Sequence, residues 1–138
     1  MQRTTIRISI AILVALLSTL AFPITAAAQA APLAPSQRQI AGTVVLDRGC
    51  DGQLGGERLL RARIAVQIVD LSTGEVVATV DVVKGRWTAA VPLQGDYGVQ
   101  LPLWLARAGY VASPASQTVS AAISSTEPAA PLGVCRIP

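Results

Sequence analysis

The sequence predicts an all-β protein: a single small Greek-key, Ig-like β-sandwich of about seven strands that follows a signal peptide. Three observations carry this. Apolar residues recur at every second position through Ile64, Val66, Ile68 and again through Trp87, Ala89, Val91, the period of a strand with one buried face. Turn residues punctuate these runs at short spacing, in Ser72-Thr73-Gly74-Glu75, Lys84-Gly85 and Gln94-Gly95-Asp96, where glycine and short polar side chains accommodate a tight reversal. Past residue 30, no stretch carries a helical period.

Residues 1–30 read as a targeting segment. Arg3 and Arg7 precede an apolar run from Ile8 to Phe22 that stops at Pro23, short of the about twenty residues a bilayer needs. Ala28-Gln29-Ala30 then offers the small-x-small pattern that signal peptidase cuts. Cys50 lies too far along for lipid attachment. Cleavage after Ala30 leaves one domain's worth of chain, enough to bury about 60–70% of its unfolded surface. It also removes two of the eleven basic residues, so that nine face eight acidic ones. A charge so close to balance argues against nucleic acid or an anionic membrane as partner. The expected location is therefore extracellular, at the cell surface or in the periplasm.

Residues 31–39, rich in Pro and Ala, read as a linker, and the domain spans 40–138. Ile40 to Leu46 is a first strand, with Gly42 as a bulge. Asp47 to Ala62, with four glycines, makes a long loop. Arg63 to Leu71 is the second strand. Thr73-Gly74 turns it into a third, Val76 to Val83, whose two apolar faces predict a central position. Lys84-Gly85 makes a tight hairpin into Arg86 to Val91, which Pro92 ends because proline cannot donate to the ladder. Tyr97 to Leu105 alternates Leu101, Leu103 and Leu105 with Pro102 and Trp104 and reads as a fifth strand, an edge in its latter half. Tyr110 to Ala112, Gln117 to Ile123 and Leu132 to Arg136 are short further strands, the last after the polar loop SSTEPAAP.

Cys50 and Cys135 are the two cysteines. In an exported chain an even pair is more often a disulfide than a redox or metal site; the other readings are a buried free thiol and a link to a second chain. Histidine and asparagine are absent. That removes His-based general bases, triads and zinc sites, and no spacing pairs two of the carboxylates as glycoside hydrolysis requires. The chain therefore reads as a non-enzyme.

Ile40-x-Gly42-x-Val44, Ile64-x-Val66-x-Ile68, Thr73-Gly74, Asp81-x-x-x-Gly85-x-Trp87, Leu93-x-Gly95-x-Tyr97-x-Val99 and Gly109-Tyr110 together resemble the prealbumin-like β-sandwich repeats. These include the SdrD B-like and Cna B-type domains of bacterial surface proteins and the carboxypeptidase regulatory-like domain. The resemblance covers Ile40 to about Ser113. It implies a stalk, spacer or adhesive module whose partner is a protein or polysaccharide at the cell surface. The isopeptide bond of many Cna B-type domains is not expected, because the sole lysine, Lys84, sits in a turn and asparagine is absent.

Two ligand sites follow as candidates. Asp47-Arg48-Gly49-Cys50-Asp51-Gly52 with Glu57 resembles the start of a calcium loop, in which alternate carboxylates converge on one cation. SdrD B-like repeats carry such a loop directly after the first strand. Here Gly49 replaces the second oxygen ligand, Gly55 stands where a further acid is expected, and Glu57 falls one position early. Calcium, through Asp47, Asp51 and Glu57, is the one cofactor considered; otherwise none is expected. Trp104 and Tyr110 flank the loop LARAG and define a candidate surface for carbohydrate or a protein partner; the alternative packs Trp104 beneath that loop. Trp87 is expected in the core, and the Tyr97 ring is expected to be buried with its hydroxyl on a nearby carbonyl.

Overall fold

The computed structural model describes residues 36–138; the signal peptide expected over 1–30 and the linker residues up to 35 lie outside the described residues. Among the described residues, eight strands form two sheets. The larger sheet contains β1 (Gln37–Leu46), β2 (Arg58–Leu59), β5 (Arg86–Pro92), β7 (Tyr110–Ala112) and β8 (Leu132–Arg136), and the smaller contains β3 (Ile64–Asp70), β4 (Val76–Val82) and β6 (Tyr97–Gln100). The strand order is β2-β1-β8-β7, with β5 on the first part of β1, against β4-β3-β6. This is the all-β sandwich that the alternation and turn spacing predict.

The long strand β1 organises the larger sheet. Gln37–Thr43 pair antiparallel with β5, Val45 and Leu46 pair with β2, and Val44–Leu46 run parallel to β8. It begins three residues before the expected Ile40, because Gln37, Arg38 and Gln39 pair with Pro92, Val91 and Ala90. Gly42 is not a bulge. It stays in register opposite Trp87, and a Cβ there would lie 2.6 Å from Cζ2 of the indole. The glycine makes room for the largest side chain of the core.

In the smaller sheet the two-sided strand is β3, flanked by β4 and β6 and nearly continuously buried. The expectation that β4 is central is corrected: β4 is an edge. Ala78, Val80 and Val82 pack on the core, while Val76 and Val77 are exposed at 45% and 47%. Valine favours strands on steric grounds whether or not its face is covered, so composition misplaced this strand.

Lys84 (φ 52°) and Gly85 (φ 75°) form the predicted two-residue hairpin, both in the left-handed region that a type I′ turn requires. Val83 and Arg86 exchange backbone hydrogen bonds of 2.8 and 3.0 Å across it. The turn carries the chain from the smaller sheet to the larger.

Two further strand expectations are corrected. The fifth strand stops at Gln100, and Leu103–Ala108 is a 3₁₀ turn closed by Gly109 (φ 81°). Gln117 to Ile123 is no strand, although Ser120 and Ile123 donate backbone hydrogen bonds to Val99 and Tyr97 and run along β6 irregularly. The interior between the sheets is filled by Ile40, Val44, Val66, Ile68, Val82, Trp87, Val91, Val99 and Val134. Among the described residues no helix is long and apolar enough to cross a membrane.

Candidate functional site

The loop after β1 is anchored inward. Asp47, only 1% exposed, turns its carboxylate beneath the loop instead of toward solvent. Its Oδ2 accepts hydrogen bonds from Ser113 Oγ (2.6 Å) and the Gly52 N–H (3.0 Å). The Asp47 N–H donates to the Val134 carbonyl, and Ser113 N–H to the Gly133 carbonyl, each at 2.9 Å. Gly133 N–H donates to Ser116 Oγ at 2.8 Å. A Cβ at Gly133 would collide with Leu54 and lie 2.8 Å from Ser113 Cβ, so the loop, the Ser113–Ser116 segment and β8 close tightly upon one another. The hydrogen bond from Ser113 holds the Asp47 carboxyl below the ordinary carboxylate range; burial opposes it, and the N–H groups of Gly52, Cys50 and Asp51 assist it.

Cys50 and Cys135 form the predicted disulfide, with Cα atoms 5.4 Å apart, and complete the same clamp covalently. Cys50 itself takes φ 51°, an unusual backbone for a residue with a Cβ.

The calcium candidates are not brought together. Asp47 Oδ2 is committed to Ser113 and Gly52. Asp51 Oδ1 accepts the Gln53 N–H at 2.9 Å in an exposed turn. Glu57 lies at the far end of the loop, directly before β2. Among the described residues no three His, Cys, Asp or Glu side chains are grouped so as to hold a metal ion. The sequence singles out Asp47 as a cation ligand; in the structure its Oδ2 binds Ser113 and Gly52, and its buried Oδ1 has no hydrogen-bond partner. Ser113 and Ser116 carried no local signal, since they become polar partners only when the fold brings them to Asp47, 66 positions from Ser113, and to Gly133, 17 positions from Ser116.

Trp104 and Tyr110 line different hollows. Trp104 rides on the 3₁₀ turn, 42% exposed, and borders a hollow of about 370 Å³ with Arg63, Ile64, Ala65, Asp81, Val82 and Val83. Tyr110 is half-buried, packs on the core and faces other hollows. Trp104 thus borders a hollow beside the start of β3 and the end of β4. An aromatic face beside one carboxylate and one guanidinium supplies an apolar platform with an acceptor and a donor, the complement of a sugar ring's C–H face and hydroxyls.

The comparisons with known proteins returned no matching family model, no matching curated protein and no matching solved structure.

Proposed function

We propose that this chain is an exported, non-catalytic structural or adhesive β-sandwich module that acts at the cell surface or in the medium. The observation that carries the reading is the Cys50–Cys135 disulfide, which joins the loop after the first strand to the last strand. Such bonds persist in oxidising compartments, and this one fits the export expected from the leader. It supplies to the sandwich a cross-link of the kind that metal or isopeptide bonds supply to the repeats the sequence resembles. The test is expression of the full chain in a secreting bacterial host. The expected product starts at Ala31, lies outside the cytoplasm and has no free thiol. A cytoplasmic product with both thiols free would contradict the proposal.

A second reading, a carbohydrate-binding module, is favoured by one observation, the half-exposed Trp104 beside Asp81 and Arg63. Titration with neutral oligosaccharides while following tryptophan fluorescence should then give a saturable change that Trp104→Ala removes. The buried Trp87 serves as the internal reference, and no change in the native chain would discard this reading. Calcium is less well supported: Asp47 Oδ2 is held by Ser113 and Gly52, and although its buried Oδ1 has no hydrogen-bond partner, no three possible ligands are grouped there among the described residues.

A further inference from the structure

Past residue 30 the charge is nearly balanced in total, nine basic residues against eight acidic, but not in space. Five of its cations, Arg48, Arg58, Arg61, Lys84 and Arg136, border two adjoining hollows of about 650 and about 310 Å³ that share Arg58, Leu59 and Arg61. No acidic residue lines either hollow. All five side chains are exposed, and among the described residues none makes an ion pair or a side-chain hydrogen bond.

The fold creates this cluster from distant sequence. Arg58 and Leu59 pair with the end of β1 in β2, Arg136 stands opposite Tyr110 at the β7–β8 edge, and Lys84 is delivered by the hairpin turn. The hairpin is pressed onto β2 closely enough that a Cβ at Gly85 would lie 2.7 Å from Leu59 Cβ. Holding like charges together in this way opposes folding slightly. Nothing in the core requires it, which makes a ligand the economical explanation.

We infer that this trough binds a linear acidic polysaccharide, a polymer with repeated carboxylate groups, along the line from Lys84 through Arg58 and Arg61 to Arg48 and Arg136. Guanidinium groups match carboxylates through two parallel N–H donors, and four of the five cations are arginines. The one exposed apolar side chain at the centre, Leu59 at 37%, offers packing for a sugar's C–H face. The one aromatic side chain that lines the trough, Tyr110, is half-buried, whereas single-stranded nucleic acid stacks successive bases on exposed aromatic side chains. An anionic membrane would attract the same cations, and the vesicle arm of the test below separates it from a polysaccharide. The inference rests on the reading of the chain as an exported module and names the ligand chemistry of one of its faces.

The test is calorimetric titration of the mature, disulfide-bonded chain with polygalacturonate, and in parallel with dextran, single-stranded DNA and vesicles of phosphatidylglycerol. Binding is expected to polygalacturonate and not to dextran, weakening about tenfold or more between about 50 and about 200 mM salt, because exposed charges are strongly screened. Arg58→Ala, Arg61→Ala and Lys84→Ala should each weaken it about two- to fivefold, the worth of one solvated ion pair. The double variants Arg58→Glu/Arg61→Glu and Arg48→Glu/Arg136→Glu should abolish it with the melting midpoint retained; either pair suffices if the other fails to fold. Equal binding of dextran, insensitivity to both double variants, or tighter binding to DNA or vesicles than to polygalacturonate would overturn the proposal. Failure of export leaves this result readable on refolded protein, so the two readings can fail separately.

Discussion

Asp47 shows how one side chain can hold a fold while looking like a ligand. Its Oδ2 ties Ser113 and Gly52 together under the loop, and its titration makes the tie pH-dependent. Because hydrogen bonding lowers the folded-state value below the ordinary 3.8, its contribution is complete above about pH 4 and is lost as pH falls through the lowered value. Asp70, held low by the Ser72 hydroxyl and N–H in the turn after β3, acts in the same direction. Acid unfolding should therefore begin below about pH 4, and Asp47→Asn should lower the melting midpoint at pH 7 while flattening its dependence on pH in the acid range. Asp51→Asn, whose side chain serves an exposed turn, should leave the midpoint at pH 7 unchanged. At Gly42 the constraint is volume. A methyl group against the Trp87 indole must displace a fully buried ring, so Gly42→Ala should destabilise by about 1–3 kcal/mol in denaturant unfolding. Tyr97 donates its hydroxyl to the Gln94 carbonyl at 2.9 Å, and Tyr97→Phe should lose about 0.5–1.5 kcal/mol.

Among the elements, the β4–β5 hairpin does two jobs with two adjacent residues. Gly85 sustains a positive φ against Leu59 and Leu60, and Gly85→Ala should cost more than about 1 kcal/mol in the same measurement. Lys84→Asn replaces a side chain that tolerates the left-handed region poorly with one that favours it. It should raise the melting midpoint slightly and weaken polygalacturonate binding, a separation of stability from binding that a purely structural lysine would not give. This hairpin was fully legible in the sequence, as were β8 at its bounds and the burial of Trp87, because each rests on local chemistry: a turn pair, an apolar run between polar flanks, an alternating face. The 3₁₀ turn was not. Leu101-Pro102-Leu103-Trp104-Leu105 alternates like a strand, yet Leu103 is wholly exposed and Leu105 buried at 3%; only the space available beside β7 decides between the two geometries. The edge position of β4 was hidden for a similar reason, since a valine-rich strand states its propensity and not its neighbours. The charged trough was the least legible feature. Arg58, Arg61 and Arg63 stand close in sequence, but Arg63 turns to the Trp104 hollow and Arg48, Lys84 and Arg136 arrive from three other elements.

At the scale of the whole molecule, the first and last strands lie side by side, and the disulfide and the Asp47 network close the sandwich where they meet. The bond spans 85 residues. In the chain-entropy account, a loop of that length restricts the unfolded state by about 4–5 kcal/mol, an upper figure that native strain and residual structure reduce. The most direct measurement is thermal unfolding of the mature chain, oxidised and reduced, each with calcium and with chelator. Reduction should lower the midpoint by about 10 °C or more, with calcium and chelator curves superimposed in both redox states. A midpoint that ignores reduction, or that rises with calcium, would contradict the claim that Cys50–Cys135 and the inward Asp47 carboxylate hold this module together.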